Sequence, residues 1–269
     1  MAAVLVVAMP ATGAGQASAA SVAACTTGNA AQIAAWTPDM KTAIAYARTR
    51  RGDISFAVRT TRHLWGYRDQ RVVVTASVLK AMLLVAYLDL PSVRDRALTA
   101  ADNALLAPMI RESDNIAATE VRNIVGDGRL VALARTVGMR HFGPAAIWGL
   151  SQTTAFDQTL FFLHIDAYIA PRHRAYALEQ LRSIVPSQRW GIGRIALPGW
   201  AVYFKGGWGS GTGAVDHQVT LLVHGCSRIS LAVMTLNDGT HAYGKQTLYG
   251  VAVRLLDRLP RFPVQTRAS

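Results

Sequence analysis

The chain has 269 residues, 51% of them hydrophobic and 16% charged, with a formal net charge of +12. That length and apolar content allow a large core, in one domain or two closely packed parts, and exclude an intrinsically disordered chain. The basic residues are scattered (Arg48, Arg50, Arg51, Arg59 and Arg62, then Arg94 and Arg96, then Arg172 and Arg174) and are not interleaved with stacking aromatics. This argues against a nucleic-acid module and for peripheral association with anionic cell-envelope polymers.

Residues 1–24 carry no charge. Ala2 to Met9 form a short apolar core, and Ala17-Ser18-Ala19 supplies the small residues a signal peptidase prefers. The segment reads as a secretory signal without its basic start, so the true start is expected upstream and the mature protein is expected to be secreted. The apolar core is too short to anchor the chain in a bilayer. Cys25 and Cys226 suit an oxidising compartment, where a disulfide would tie the N-terminal segment to a late strand. Alternatively, Val22-Ala23-Ala24-Cys25 resembles a bacterial lipobox, which would make Cys25 a lipidated N-terminus.

Pro38 to Arg50 predicts a helix with Thr37 as N-cap. Ile54 to Thr60 and His63 to Gly66 alternate as a hairpin turned at Thr61-Arg62. From Ser77 to about Arg182 the pattern is helical, broken at Pro91, Gly126-Asp127-Gly128 and Phe142-Gly143-Pro144. Trp200 to Phe204, Gln218 to Val223 and Ile229 to Leu236 read as strands, with turns at Gly225-Cys226-Ser227 and Asn237-Asp238-Gly239. Gln246 to Leu259 is an amphipathic helix stopped by Pro260. Strands at both ends of a helical middle predict an α/β (α+β) fold with one antiparallel sheet. Residues 25–69 and 195–269 would form the α/β part, and 70–194 an inserted helical part.

Three short motifs carry chemistry. In Ser77-Val78-Leu79-Lys80, at the start of an apolar helix, the two polar residues are three apart and share a face. A serine hydroxyl needs a base to become nucleophilic, and a lysine whose pKa is depressed by burial and a second cation can serve. Ser113-Asp114-Asn115 follows a helical stretch from Ala101 to Glu112. Lys205-Gly206-Gly207 follows a strand-like run and supplies the second cation. With 13 Ser and four Lys in the chain, Ser-x-x-Lys alone is weak, but two of the four lysines fall on motif positions in order.

In that order the motifs resemble Ser-x-x-Lys, Ser-Asp-Asn and Lys-Thr-Gly of the class A β-lactamases and related penicillin-binding proteins, and most of all the actinobacterial class A β-lactamase-related serine hydrolases. Gly199-Trp200, Thr153-Thr154-Ala155 and Leu248 to Leu259 are similar to further segments of that family. The resemblance implies a β-lactamase/transpeptidase-like fold with a five-stranded antiparallel sheet, no cofactor and no metal, and a monomer acting on a small-molecule or cell-wall-related acyl substrate. It implies that Ser77 attacks a carbonyl, Lys80 takes its proton, Ser113 relays a proton to the leaving group and Lys205 lowers that hydroxyl's pKa. Asn115 would donate its amide to Lys80 or substrate, and Asp114 would be structural. Gly207 and Trp208 would line the oxyanion hole, whose donors are the N–H groups of Ser77 and Trp208.

Two departures matter. No Asp or Glu occurs from Gly128 to Phe156, where that family carries the glutamate that activates water for deacylation. Glu120 and Asp157 lie outside this stretch, the first expected on a helix face and the second at the start of the next helix. Gly206 stands where the family has Thr or Ser, which removes a hydroxyl that helps hold a substrate carboxylate. Slow deacylation follows, or, as an alternative, a catalytically weak envelope-binding protein. Rival motifs fail. Gly239 to Lys245 has P-loop spacing but is followed by Gln246, not Ser or Thr. No G-x-S-x-G or H-E-x-x-H occurs, and His217 beside Asp216 reads as a strand-end pair.

Overall fold

The computed structural model describes residues 27–209 and 214–263. After α1 (Thr27–Ala35) and α2 (Met40–Arg48) the chain forms β1 (Asp53–Thr60), β2 (Leu64–Tyr67) and the short β3 (Val73–Val74). A 3-10 turn over Ala76–Val78 leads into α3 (Leu79–Leu88), followed by α4 (Ala100–Arg111) and α5 (Asn115–Val137). Then come β4 (Gln152–Thr153), α6 (Ala155–Leu163) and α7 (Arg174–Arg182). The chain closes with β5 (Ala201–Gly209), β6 (Val215–His224), β7 (Ser227–Leu236) and α8 (His241–Leu255).

The main sheet is five-stranded and antiparallel, in the order β2-β1-β7-β6-β5. Sequence positions 53–67 and 201–236 therefore meet across β1 and β7, with Phe56 opposite Val233. β6 and β7 are buried along nearly their whole length because helices cover both faces. One core joins α2, α8 and the outer face, with Trp36, Phe56, Leu231 and Leu248 among its members. The other joins the inner face to α3–α6 through Ala57, Val219, Leu83 and Phe161. All ten residues of α3 are buried, Lys80 included. A helix apolar on every side belongs inside a fold, and this placement holds the first motif rigid.

Several boundaries differ from the sequence expectation for local reasons. Asp39, not Thr37, caps α2, its Oδ1 accepting from Thr42 N at 3.0 Å. Thr240 caps α8, so that helix begins at His241, five residues before the expected Gln246. Gly239 to Lys245 is thus a turn and a helix start at the end of an antiparallel sheet. The break expected at Gly126 is a kink within α5, with φ 73°. The β3–β4 ribbon, with Val73 opposite Thr153, was not foreseen, because two-residue strands leave no periodicity. No described helix is long and apolar enough to cross a membrane. Cys25 lies outside the described residues. Cys226 sits in the β6–β7 turn.

Candidate active site

Ser77 stands in the 3-10 turn before α3, one residue after Ala76, whose φ is 43°. Thr75 N donates to Ser151 O at 2.7 Å, which ties this turn to the end of the 141–152 segment. Ser113 fills the turn between α4 and α5 with φ 62°. Asp114 caps α5, its Oδ1 accepting from Ala117 N at 2.7 Å, as its expected structural role requires. Non-glycine residues at positive φ cost about 1–3 kcal/mol each and gather where function needs a fixed geometry. Two of them here are Ser113 and the neighbour of Ser77.

β5 is an edge strand and brings Lys205 to the same place. Lys205 Nζ donates to Ser113 Oγ at 2.9 Å and to Gly206 O at 2.9 Å. Lys80 Nζ donates to Ser113 O at 2.5 Å, Ser113 Oγ at 3.2 Å and Asn115 Oδ1 at 2.8 Å. Ser113 Oγ therefore bridges the two ammonium groups. Asn115 accepts from Lys80, the reverse of the expected direction, and leaves its NH2 for another partner. Lys80 makes no hydrogen bond to Ser77, because its three donors are already engaged; the expected Ser77–Lys80 contact needs one of them released. Ser77, Ser113, Asn115, Thr119, Trp148 and Trp208 line one crevice of 500 Å³. Gly207 sits so close to the Ser77 turn that a Cβ there would stand 2.8 Å from Ser77 N and 2.9 Å from Val78 N. Glycine at 207 is what lets the edge strand reach the nucleophile's backbone.

Burial pulls the Lys80 ammonium down to about 7, with the Asp114 carboxylate opposing. Burial also lowers Lys205 well below the usual lysine range, and the charge on Lys80 adds to that. The like-charge effect thus falls on Lys205, whereas desolvation accounts for Lys80, a different division from the one the motifs suggested.

The departures have structural counterparts. Among the described residues no carboxylate lines the Ser77 crevice. Glu120 is exposed on α5. Asp157 is buried in the first turn of α6, where it accepts from Arg140 N and His141 N at 2.8 Å each. Trp148 occupies the crevice wall instead, its ring centroid 5.0 Å from Lys80 Nζ and its Nε1 donating to Thr119 Oγ1 at 3.1 Å. Gly206 is explained by Trp190, since a Cβ at 206 would meet that ring at 2.7 Å. Sequence reasoning missed Trp148, Thr119 and Trp190. An aromatic in a carboxylate-free segment was the only available signal for the first.

Trp208, 49% exposed, stacks on His241 with centroids 4.5 Å apart. His241 Nδ1 lies 2.6 Å from Asp216 Oδ1, so the partner of Asp216 is His241 rather than His217. His217 is a buried structural residue, with Nε2 2.8 Å from Val74 O and Nδ1 accepting from Thr235 N at 3.2 Å. Asp216 and Asp238 meet beneath Gly244, where no side chain fits. Burial, then the neighbouring Asp238 carboxyl, pushes Asp216 up to about 8, and burial pulls His241 down to about 4. These two directions both favour neutral groups, so at neutral pH the short contact reads as a hydrogen bond between the Asp216 carboxyl and His241 Nδ1. Below the unfolded value of 3.8 the Asp216 carboxyl is protonated in both states. As pH rises toward 8 the unfolded chain releases that proton and the folded chain does not, so stability is lost across this window. The Tm gain of Asp216→Asn over the parent is expected to grow across that window in calorimetric scans. A gain independent of pH would mean that the folded carboxyl is ionised.

The comparisons agree with this architecture. The model of the Beta-lactamase enzyme family matches residues 95–259, which include the second and third motifs but not Ser77 and Lys80. No curated protein matches the chain. Among solved structures, the β-lactamase from Sphaerobacter thermophilus is similar at 20% identity and TM-score 0.68, over 82% of this chain and 97% of that one. A class A β-lactamase from Bacteroides cellulosilyticus matches at 13% identity and TM-score 0.70, over 81% and 96%. A β lactamase from Xanthomonas campestris pv. campestris matches at 16% and 0.69, over 81% and 97%. At such identities the likeness speaks for the fold alone. The family match spans more than half of the chain, and this protein belongs to the Beta-lactamase enzyme family, with the antiparallel sheet and helices of the class A β-lactamase fold.

Proposed function

We propose that the protein is a serine hydrolase or acyltransferase that forms an ester on Ser77 with a β-lactam, peptide or ester carbonyl and releases it slowly. The observation that carries this reading is Ser113 Oγ held between two buried lysines beside Ser77. Lys80 in its neutral form takes the Ser77 proton as Oγ attacks the carbonyl carbon. The C–N or C–O bond then breaks, Ser113 gives its proton to the leaving atom, and the lysine pair returns a proton to Ser113. The Ser77 and Trp208 N–H groups receive the developing oxyanion. Among the described residues the crevice holds no carboxylate to activate water, and Trp148 fills its wall, so the second half of the cycle lacks a carboxylate base.

A fluorescent penicillin or fluorophosphonate probe is expected to label the parent and not Ser77→Ala. No label on either protein would instead support a binding protein of the cell envelope that has kept the fold without turnover.

Export belongs to the same proposal, with a Cys25–Cys226 disulfide. Asn29 Nδ2 lies 3.1 Å from His224 Nε2, which brings the chain just after Cys25 to the turn that holds Cys226. An intact mass lower by two hydrogens than the reduced chain supports the disulfide, and added lipid mass would establish the lipoprotein instead. The cationic surface suits peripheral contact with an anionic envelope.

A further inference from the structure

A cavity larger than the Ser77 crevice lies elsewhere in the fold. It is an 890 Å³ groove between α8 and the 186–194 segment, and it holds four cationic side chains, Arg189, Arg194, Lys245 and Arg254. No Asp or Glu lines it. The chain has no acidic residue from Gln180 to Val215 or from Thr240 to Leu256, so neither wall offers a neutralising partner. None of the four cations forms an ion pair with a described residue. The nearest acidic residue of β6, Asp216, is buried and turned beneath Gly244.

The groove is also prepared. Arg254 is held with its guanidinium 4.0 Å above the Tyr46 ring and donates to Gly250 O at 2.7 Å. Arg189 donates to Arg182 O at 3.2 Å. Arg194 and Lys245 make no hydrogen bond to described residues, and the exposed Tyr249 lines the same groove. Arg254 lies nine positions after Lys245 on the helix, a rise of about 13.5 Å. That span exceeds one small anion and matches a chain bearing two or more. Guanidinium forks pair with tetrahedral oxyanions in a bidentate way, and such pairs are stronger than neutral hydrogen bonds.

We propose that this groove binds a linear phosphate-bearing polyanion other than a nucleic acid, at a site separate from the Ser77 crevice. The inference does not rest on acylation chemistry. Phosphates entering the groove meet four cations that have no ion-pair partner among the described residues, and the net charge of +12 draws such a chain in.

Titration calorimetry with tripolyphosphate on the full chain tests it. Saturable binding is expected that weakens as salt is raised and falls about tenfold in Arg194→Ala/Lys245→Ala, where two charge-assisted contacts are lost. Labelling of Ser77 should be unchanged in that variant. Arg62→Ala/Arg135→Ala removes the same net charge away from the groove and should bind as the parent does. Absence of saturable binding overturns the proposal, as does equal loss in the two double variants. Tighter binding of polyglutamate than of tripolyphosphate overturns the choice of phosphate. Displacement by single-stranded DNA at lower concentrations than tripolyphosphate would mark the groove as a nucleic-acid site and overturn it too.

Discussion

Replacing Lys80 by alanine is expected to slow acylation of Ser77 by about 10³-fold, the middle of the range for losing a positioned general base. The buried amine has its proton affinity lowered to about 7, so part of it is already neutral at physiological pH. The parent's acylation rate should therefore rise with pH through that value, as the base form is populated. Lys80→Arg keeps a cation beside Ser113 and Asn115 but cannot lose its proton. It should be as slow as the alanine variant, with no inflection near 7. If Lys80 only positioned Ser113 and Asn115, arginine would restore much of the rate and the inflection would persist. Stopped-flow labelling across pH distinguishes these outcomes.

The second large effect lies in the other half of the reaction. With a chromogenic β-lactam the protein should release one equivalent of product per active site and then nearly stop. Ordinary enzymes turn over at about 10 s⁻¹, and the absence of a general base costs about 10²–10⁴. Steady-state turnover at about 0.1 s⁻¹ or lower is therefore expected, with the acyl group visible on the Ser77 peptide by mass spectrometry. Turnover in the ordinary range without a burst would show that another group activates water. Glu120 and Asp157 are poor candidates, since the first is exposed on α5 and the second is committed to the backbone of Arg140 and His141.

The acyl site and the cationic groove share one wall. Gln188 lines the Ser77 crevice, and Arg189 and Trp190, next along the chain, line the groove. Trp190 also fills the space beside Gly206 and meets His241 edge-on at 5.3 Å. The missing hydroxyl at 206 and the groove thus have a common structural basis in one indole ring.

What the residues alone determined were those features that depend on near neighbours in the chain. The apolar run around Lys80 reads as a buried helix, and the three-residue spacing puts Ser77 about one turn before Lys80 at its start. Alternating runs at both ends required a sheet, and Gly126 required a break. The absence of carboxylates from 128 to 156 was also plain. Tertiary structure decided everything that depended on residues far apart. It made Ser113 the bridge between two lysines 125 positions apart, engaged all three Lys80 donors away from Ser77 and reversed the Asn115 hydrogen bond. It paired Asp216 with His241 instead of its neighbour His217, because adjacent strand residues point to opposite faces. Trp148 and Trp190 carry no periodic signature, and four separated cations become a groove only when α8 packs beside residues 186–194. Pattern along a chain reports which side of an element is buried; which groups then meet is settled by packing.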